Sequence, residues 1–164
     1  MPLFKPDAYL ASVTRIDPVR LAARGTHALL IDIDNTLVPR DTHVLSPEVI
    51  AWVAHAKASG LKVCLLSNNW HRVVFGYAAQ LDVPIVYKAM KPAPFAFLHA
   101  LKKIAEKPAT TVVVGDQLMT DVLGAHLLHM PAILVEPLSH VDLWYTQLFR
   151  RIEHRLVGDL QPDE

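Results

Sequence analysis

An apolar run, Leu29-Leu30-Ile31, leads into Asp32 and Asp34, two carboxylates one residue apart, with Asn35 and Thr36 directly after them. Alternate side chains of an extended strand share a face, so Asp32, Asp34 and Thr36 are expected to leave the end of a buried strand together. Converging polar groups are costly to place there, and a cation would relieve the repulsion between the two acids. Three more polar clusters end apolar runs in the same way. Ser67 follows 61–66, Lys91 follows the short run 85–87, and Asp116 with Asp121 follows 111–114.

Each cluster alone has a commonplace reading. Two acids at a strand end often form a solvated turn, and Ser67-Asn68-Asn69 has the composition of one. Lys91-Pro92 is an ordinary pair, and Gly115-Asp116 suits a helix cap. The signal lies in their joint occurrence, in this order, each at an expected strand terminus.

The elements that must position these groups alternate between strand-like and helix-like periodicity, the pattern of a parallel sheet covered by helices on both faces. Strands are expected at 28–34, 61–66, 85–87, 111–114 and 132–135. Ser46-Pro47-Glu48 opens a helix with a capping hydroxyl, a proline at the first position and an acid near the positive end, and Gly60 closes it. Helical spacing continues from Val73 to Leu81, from Phe95 to Ile104 and over 118–128. A closing helix is expected at 142–157. The first 27 residues read as an N-terminal extension of short helical turns such as 18–24, stopped by Gly25. In such a sheet ligands sit outside the carboxyl ends of the strands, where all four polar clusters fall.

Size and composition are consistent with this arrangement. The 164 residues suit a single domain, 1–164, that buries about 70% of its unfolded surface. Hydrophobic residues make up 52% of the chain, and sixteen basic residues balance sixteen acidic ones. Zero net charge predicts no nucleic-acid partner. The lone Cys64, inside an apolar run, excludes a disulfide framework and suits a reducing, cytoplasmic setting. The N-terminus lacks the apolar core of a secretory signal, and no stretch approaches the roughly 20 apolar residues of a membrane span.

The motifs Asp32-Ile33-Asp34-Asn35-Thr36, Ser67, Lys91-Pro92 and Gly115-Asp116 with Asp121 resemble those of the haloacid dehalogenase-type phosphatases. Ser67-Asn68-Asn69, Tyr87-Lys88-Ala89-Met90-Lys91-Pro92 and the stretch Gly115-Asp116-Gln117-Leu118-Met119-Thr120-Asp121-Val122-Leu123-Gly124 are similar to the YqeG-type branch of that family. The likeness runs over nearly the entire chain. It implies a three-layer α/β Rossmann-like fold and a phosphomonoester hydrolase that works through an aspartyl-phosphate.

On that resemblance Asp32 is the nucleophile and Asp34 the acid and base. Ser67 and Lys91 stabilise the phosphoryl group. Mg²⁺ is held by Asp32, the backbone carbonyl of Asp34 and Asp116, while Asp121 orients the metal shell or the lysine. Thr36 is expected to hold the loop, contact substrate and hydrogen-bond Asp34; Asn68 either touches substrate or stiffens its loop. Lys88 ranks below Lys91 as the catalytic cation. His71 and Arg72 read as solvent-facing charge at a helix start, with contact to an anionic substrate as the alternative, and the remaining histidines show no metal spacing.

One helix and one strand fill each interval between motifs, which leaves no room for a large cap domain and predicts an open site. The C-terminal segment, 138–164, combines aromatic, apolar and arginine residues in an amphipathic helix. That helix suits either packing on the sheet or a subunit, or peripheral contact with the inner face of a membrane. A mitochondrial relative of the branch dephosphorylates phosphatidylglycerophosphate, so the resemblance implies a lipid headgroup as one candidate substrate. A soluble sugar or nucleotide phosphate and a phosphoprotein are the alternatives, as is a phospho-acceptor domain that regulates without turnover. The oligomeric state is not readable from the sequence.

Overall fold

The computed structural model describes residues 2–140. The closing helix expected at 142–157, and with it the membrane-contact reading of the C-terminal segment, lies outside the described residues.

Six strands form one parallel sheet: β1 (Ala8–Leu10), β2 (Ala28–Ile31), β3 (Lys62–Leu66), β4 (Ile85–Val86), β5 (Thr111–Gly115) and β6 (Ala132–Val135), in the order β1-β6-β5-β2-β3-β4. The helices are α1 (Pro18–Ala23), α2 (Pro47–Ala58), α3 (Val73–Leu81), α4 (Pro94–Ile104) and α5 (Leu123–Leu127). This is the three-layer α/β architecture expected from the sequence. The side chains of β2 divide with period two. Leu29 and Ile31 join Trp52, Val53, Val74 and Tyr77 from α2 and α3, whereas Ala28 and Leu30 join Phe97, Leu101 and Val122 on the other face. Burial on both faces explains why the central strands read as unbroken apolar runs rather than alternating ones.

Local signals act where they stand in the sequence. The Ser46 hydroxyl accepts a bond from the Val49 N–H at 3.2 Å, with Pro47 as the first residue of α2. Gly60, just beyond the helix, takes the left-handed φ of 89° that a side chain would disfavour.

Two expectations are corrected. The first 27 residues hold more than helical turns, because Ala8–Leu10 forms an edge strand on β6. The Asp7 carboxylate secures it, accepting from the Ala132 N–H at 2.8 Å and lying 3.1 Å from the buried His126 ring. A three-residue edge strand is too short to show periodicity. Secondly, β2 ends at Ile31 instead of running to residue 34. The last ladder bond is from the Asp32 N–H to the Val114 carbonyl. Beyond it the Ile33 carbonyl accepts from the N–H groups of Thr36, Leu37 and Val38, and Asn35 adopts a φ of 62°. A tight turn, not strand alternation, therefore sets the directions of Asp34 and Thr36.

The sheet order explains where chemistry can occur. From β2 the chain moves outward through β3 to β4, then crosses back to β5 on the opposite side of β2. The crevice beyond the carboxyl ends of β2 and β5 is the point where the winding reverses, the usual ligand position in such sheets. Among the described residues only α2 and β3 separate the Asp34 turn from Ser67, and only α3 and β4 separate Ser67 from Lys91. Among the described residues no cap domain is inserted between these motifs.

Candidate active site

Asp32 follows β2 and Asp116 follows β5, so the two strands flanking the reversal deliver both acids to one place. Asp32, Asp116 and Asp121 offer carboxylate oxygens that all lie within 4.8 Å of one another, and all three residues are buried. Lys91 enters the same well from the loop after β4. Its ammonium donates to Asp32 Oδ1 at 2.6 Å and to Asp121 Oδ1 at 2.6 Å, with 6% of the residue exposed. The Thr36 hydroxyl lies 3.3 Å from Asp32 Oδ2 and 3.5 Å from Asp116 Oδ1. Thr36 thus bridges the expected nucleophile and a second strand-end acid, and it does not bond Asp34 as anticipated.

The charge balance suits the well to a cation. Three carboxylates and one ammonium leave an excess of negative charge where little water enters. Burial pushes the Asp121 carboxyl up to about 6; Lys91 beside it pulls the other way and Asp32 adds to the rise. Burial alone would lower Lys91, but Asp121 and Asp32 outweigh it and hold the ammonium above its ordinary range. An all-oxygen donor set suits a hard divalent cation, and the acid cluster is of the kind that could bind one. Within that set both Asp121 oxygens are engaged, Oδ1 by Lys91 and Oδ2 by the Gln117 N–H at 3.2 Å. Its geometry fits orientation of the lysine.

Asp121 reaches this position through an irregular element. Residues Leu118–Val122 form a single π-helical turn before α5, a widening often found at functional positions. The helix expected from 118 onward is therefore two pieces. Gly115 supplies the needed space, because a methyl group on its Cα would overlap the Asp121 carboxyl group.

Asp34 stands at the half-buried mouth of the well. Burial raises its carboxyl above the ordinary range and Asp32 reinforces the rise, while Arg40, Asn69 and Lys91 oppose it. Asn69 Nδ2 donates to Asp34 Oδ2 at 3.4 Å. Sequence reasoning assigned no role to Asn69; its place in a turn directly after a motif serine was the signal available. Ser67 is fully buried, and its hydroxyl accepts from the Asn69 N–H at 3.0 Å.

Asn68, expected either to touch substrate or to stiffen its loop, clasps the loop that carries Lys91. Its Oδ1 accepts from the Lys91 N–H at 2.7 Å and its Nδ2 donates to the Lys91 carbonyl at 3.2 Å. The clasp fixes the lysine backbone. On either side of Ala89, Lys88 and Met90 take left-handed φ values of 51° and 56°, a conformation that persists in larger residues only where surroundings impose it. Residues 89 and 91 are buried while 88 and 90 are exposed. Lys88 accordingly lies outside the well, its ammonium 4.9 Å from the centre of the Trp70 ring. His71 and Arg72 are exposed.

Asn35 was also missed as a structural residue. It is fully buried, and its Oδ1 accepts from the Arg40 N–H at 3.2 Å and the Ser139 hydroxyl at 2.7 Å. Its carbonyl accepts from the Leu138 N–H. These bonds tie the Asp32–Asp34 turn to the segment after β6. Cys64, by contrast, takes no part: it is buried in β3, and burial pushes its thiol up to about 11.

Comparison with known proteins agrees with this geometry. Residues 8–129 match the haloacid dehalogenase-like hydrolase family, and the chain belongs to it. The chain is 37% identical over 158 residues to the protein of Bacillus subtilis (strain 168) described as "Probable phosphatase YqeG", covering 96% of this chain and 92% of that protein. Family and relative together make it an enzyme, a phosphatase of the haloacid dehalogenase type. Solved structures share the fold. A protein from Listeria monocytogenes serotype 4b matches with a TM-score of 0.57 at 20% identity, over 71% of this chain and 85% of that one. The cobalt-bound deoxy-D-mannose-octulosonate 8-phosphate phosphatase of Haemophilus influenzae matches with a TM-score of 0.57 at 11% identity, over 86% and 90%.

Proposed function

We propose that this phosphatase hydrolyses a phosphomonoester in two displacements through an aspartyl-phosphate on Asp32, with Mg²⁺ as its cofactor and phosphatidylglycerophosphate as its substrate. The observation that carries the reading is the convergence of Asp32, Asp116, Asp121 and Lys91 in one buried well at the winding reversal of the sheet.

Asp32 has one oxygen on Lys91 and the other near Thr36, so its carboxylate is held in one orientation before substrate arrives. It attacks phosphorus, forming the acyl-phosphate bond as the bond to the leaving alkoxide breaks. Asp34, whose raised pKa lets it keep a proton above the ordinary carboxylate range, protonates the leaving oxygen. As a carboxylate it then removes a proton from water, which attacks the same phosphorus, releases inorganic phosphate and regenerates Asp32. Lys91 balances charge on the nucleophile and the phosphoryl oxygens, and Ser67 donates to one of those oxygens. Asp32, the Asp34 carbonyl and Asp116 are the ligands proposed for Mg²⁺, which supplies Lewis-acid neutralisation of phosphoryl charge. Asn68 and Asp121 keep Lys91 in place.

The second carboxylate, Asp34, favours turnover over a purely regulatory phospho-acceptor, because it supplies the proton for departure and activates water. The uncapped crevice supports a substrate whose own bulk, or the surface it is embedded in, excludes solvent.

The test begins with an aryl phosphate. The purified protein should release phosphate with Mg²⁺ and stop when EDTA is added; absence of metal-dependent release across a panel of phosphomonoesters would favour the regulatory reading. Phosphatidylglycerophosphate in mixed micelles is then compared with soluble sugar and nucleotide phosphates. A large preference for the soluble compounds would remove the lipid assignment while leaving the mechanism intact.

A further inference from the structure

Zero net charge conceals a separation of charge along the chain. Between Asn69 and Ala105 stand five basic residues, Arg72, Lys88, Lys91, Lys102 and Lys103, and one acid, Asp82. Asp82 caps the far end of α3 and is paired with Lys57 at 3.3 Å. The loops after β3 and β4, 67–72 and 87–93, at the carboxyl edge of the sheet, therefore carry no acid.

Those loops and the first residue of α3 expose large apolar side chains beside the cations. Trp70 is 63% exposed, Met90 60% and Val73 52%. The Lys88 ammonium lies 4.9 Å from the Trp70 ring centre and 5.3 Å from that of Tyr87. Among the described residues neither Lys88 nor Arg72 forms an ion pair with a carboxylate. The patch is continuous with the site, since the loop that carries Ser67 and Asn69 goes straight on to Trp70, and the Lys88 N–H donates to the Asn69 carbonyl at 3.3 Å.

We propose that the rim formed by Trp70, Arg72, Val73, Tyr87, Lys88 and Met90 seats the protein on an anionic lipid bilayer, with the mouth of the active site facing the headgroups. Tryptophan and tyrosine partition to membrane interfaces, where an apolar ring and a polar edge are both satisfied, and cations beside them gain from negative headgroups. An acid-free patch complements such a surface in charge. A protein-binding patch is ordinarily depleted in lysine, whereas here Lys88 lies over the exposed aromatic rings. The inference deepens the lipid reading of the proposed function, yet docking needs no turnover and is tested apart from it.

The full chain is sedimented with vesicles of phosphatidylcholine alone and with vesicles of phosphatidylcholine and phosphatidylglycerol in equal parts. Binding is expected to the anionic vesicles and to weaken as salt rises. Lys88→Ala should lower partitioning about fivefold and Trp70→Ala about tenfold, while both variants hydrolyse a soluble aryl phosphate at the wild-type rate. Equal binding to both vesicle types, no binding, or a double variant that binds like the wild type would overturn the proposal. Lipid-free self-association dispersed by the same substitutions would assign the patch to a second copy and also overturn it. Vesicle binding without cleavage of a lipid phosphomonoester would defeat the substrate assignment and leave docking standing. Cleavage in detergent micelles without vesicle binding would do the reverse.

Discussion

Two regions meet at the carboxyl edge of the sheet and handle charge in opposite ways. In the well beyond β2 and β5, every charged group is buried and faces a partner: Lys91 spans Asp32 and Asp121, and Thr36 bridges Asp32 and Asp116. On the rim beyond β3 and β4, Lys88 and Arg72 are exposed, and among the described residues no carboxylate pairs with them. The well holds its geometry before any ligand arrives, which is what stabilisation of a transition state requires. Charges on the rim lose little by remaining solvated and gain only when an anionic surface approaches. On the proposed reading, catalysis and delivery call for different placements of the same residue types, with Lys91 in the first part and Lys88, three positions away, in the second.

Three substitutions and one pH shift would break or sharpen this contrast. Asp32→Asn removes the nucleophile but preserves shape, so turnover of an aryl phosphate should fall at least about a thousandfold with circular dichroism unchanged. A variant that kept the wild-type rate would refute the assignment. Gly115→Ala is next: the added methyl displaces Asp121 from Lys91. A roughly hundredfold loss in kcat is expected, together with about 1–3 kcal/mol of stability in denaturant unfolding.

Asn68→Ala releases the lysine backbone from both of its amide bonds. Its expected cost is about 1 kcal/mol of stability and on the order of tenfold in kcat, with KM little altered. A change confined to KM would instead indicate direct substrate contact.

The smallest effect is on melting temperature. Because the folded-state pKa of Asp121 is raised from 3.8 to about 6, the folded protein holds that proton more tightly than the unfolded chain does. This contribution is complete below the ordinary value and is lost as pH climbs through the raised one. Metal-free protein should therefore melt lower at pH 8 than at pH 5 through this group. Added Mg²⁺ should raise the melting temperature more at the higher pH, and an equal gain at both would count against a carboxylate-bound ion.

Much of this was legible from residue order. The buried strands announced themselves as apolar runs, Ser46 and Gly60 marked the ends of α2, and the polar clusters fell at strand ends because only there can a buried sheet present them. Less accessible was whatever depends on tertiary partners. Nothing local reveals that Ala8–Leu10 pairs with β6, or that the Asn68 amide reaches across 23 positions to Lys91. The direction of Thr36 was misread because strand alternation was extended through a turn that begins at Ile33. The π-helical turn escaped because Leu118–Val122 has ordinary helical composition; its widening becomes intelligible only with Asp121 folded over Gly115.

The anchoring of Asn35 links distant parts of the chain mechanically. One amide oxygen and one carbonyl hold Ser139 and Leu138 while the same residue makes the bend between the two motif acids. A shortened protein ending at Pro137 would keep all six strands yet lose that anchor, so reaction rate should suffer well before the scaffold does. The stretch after the last strand thus acts as a strut for the bend that carries both motif acids.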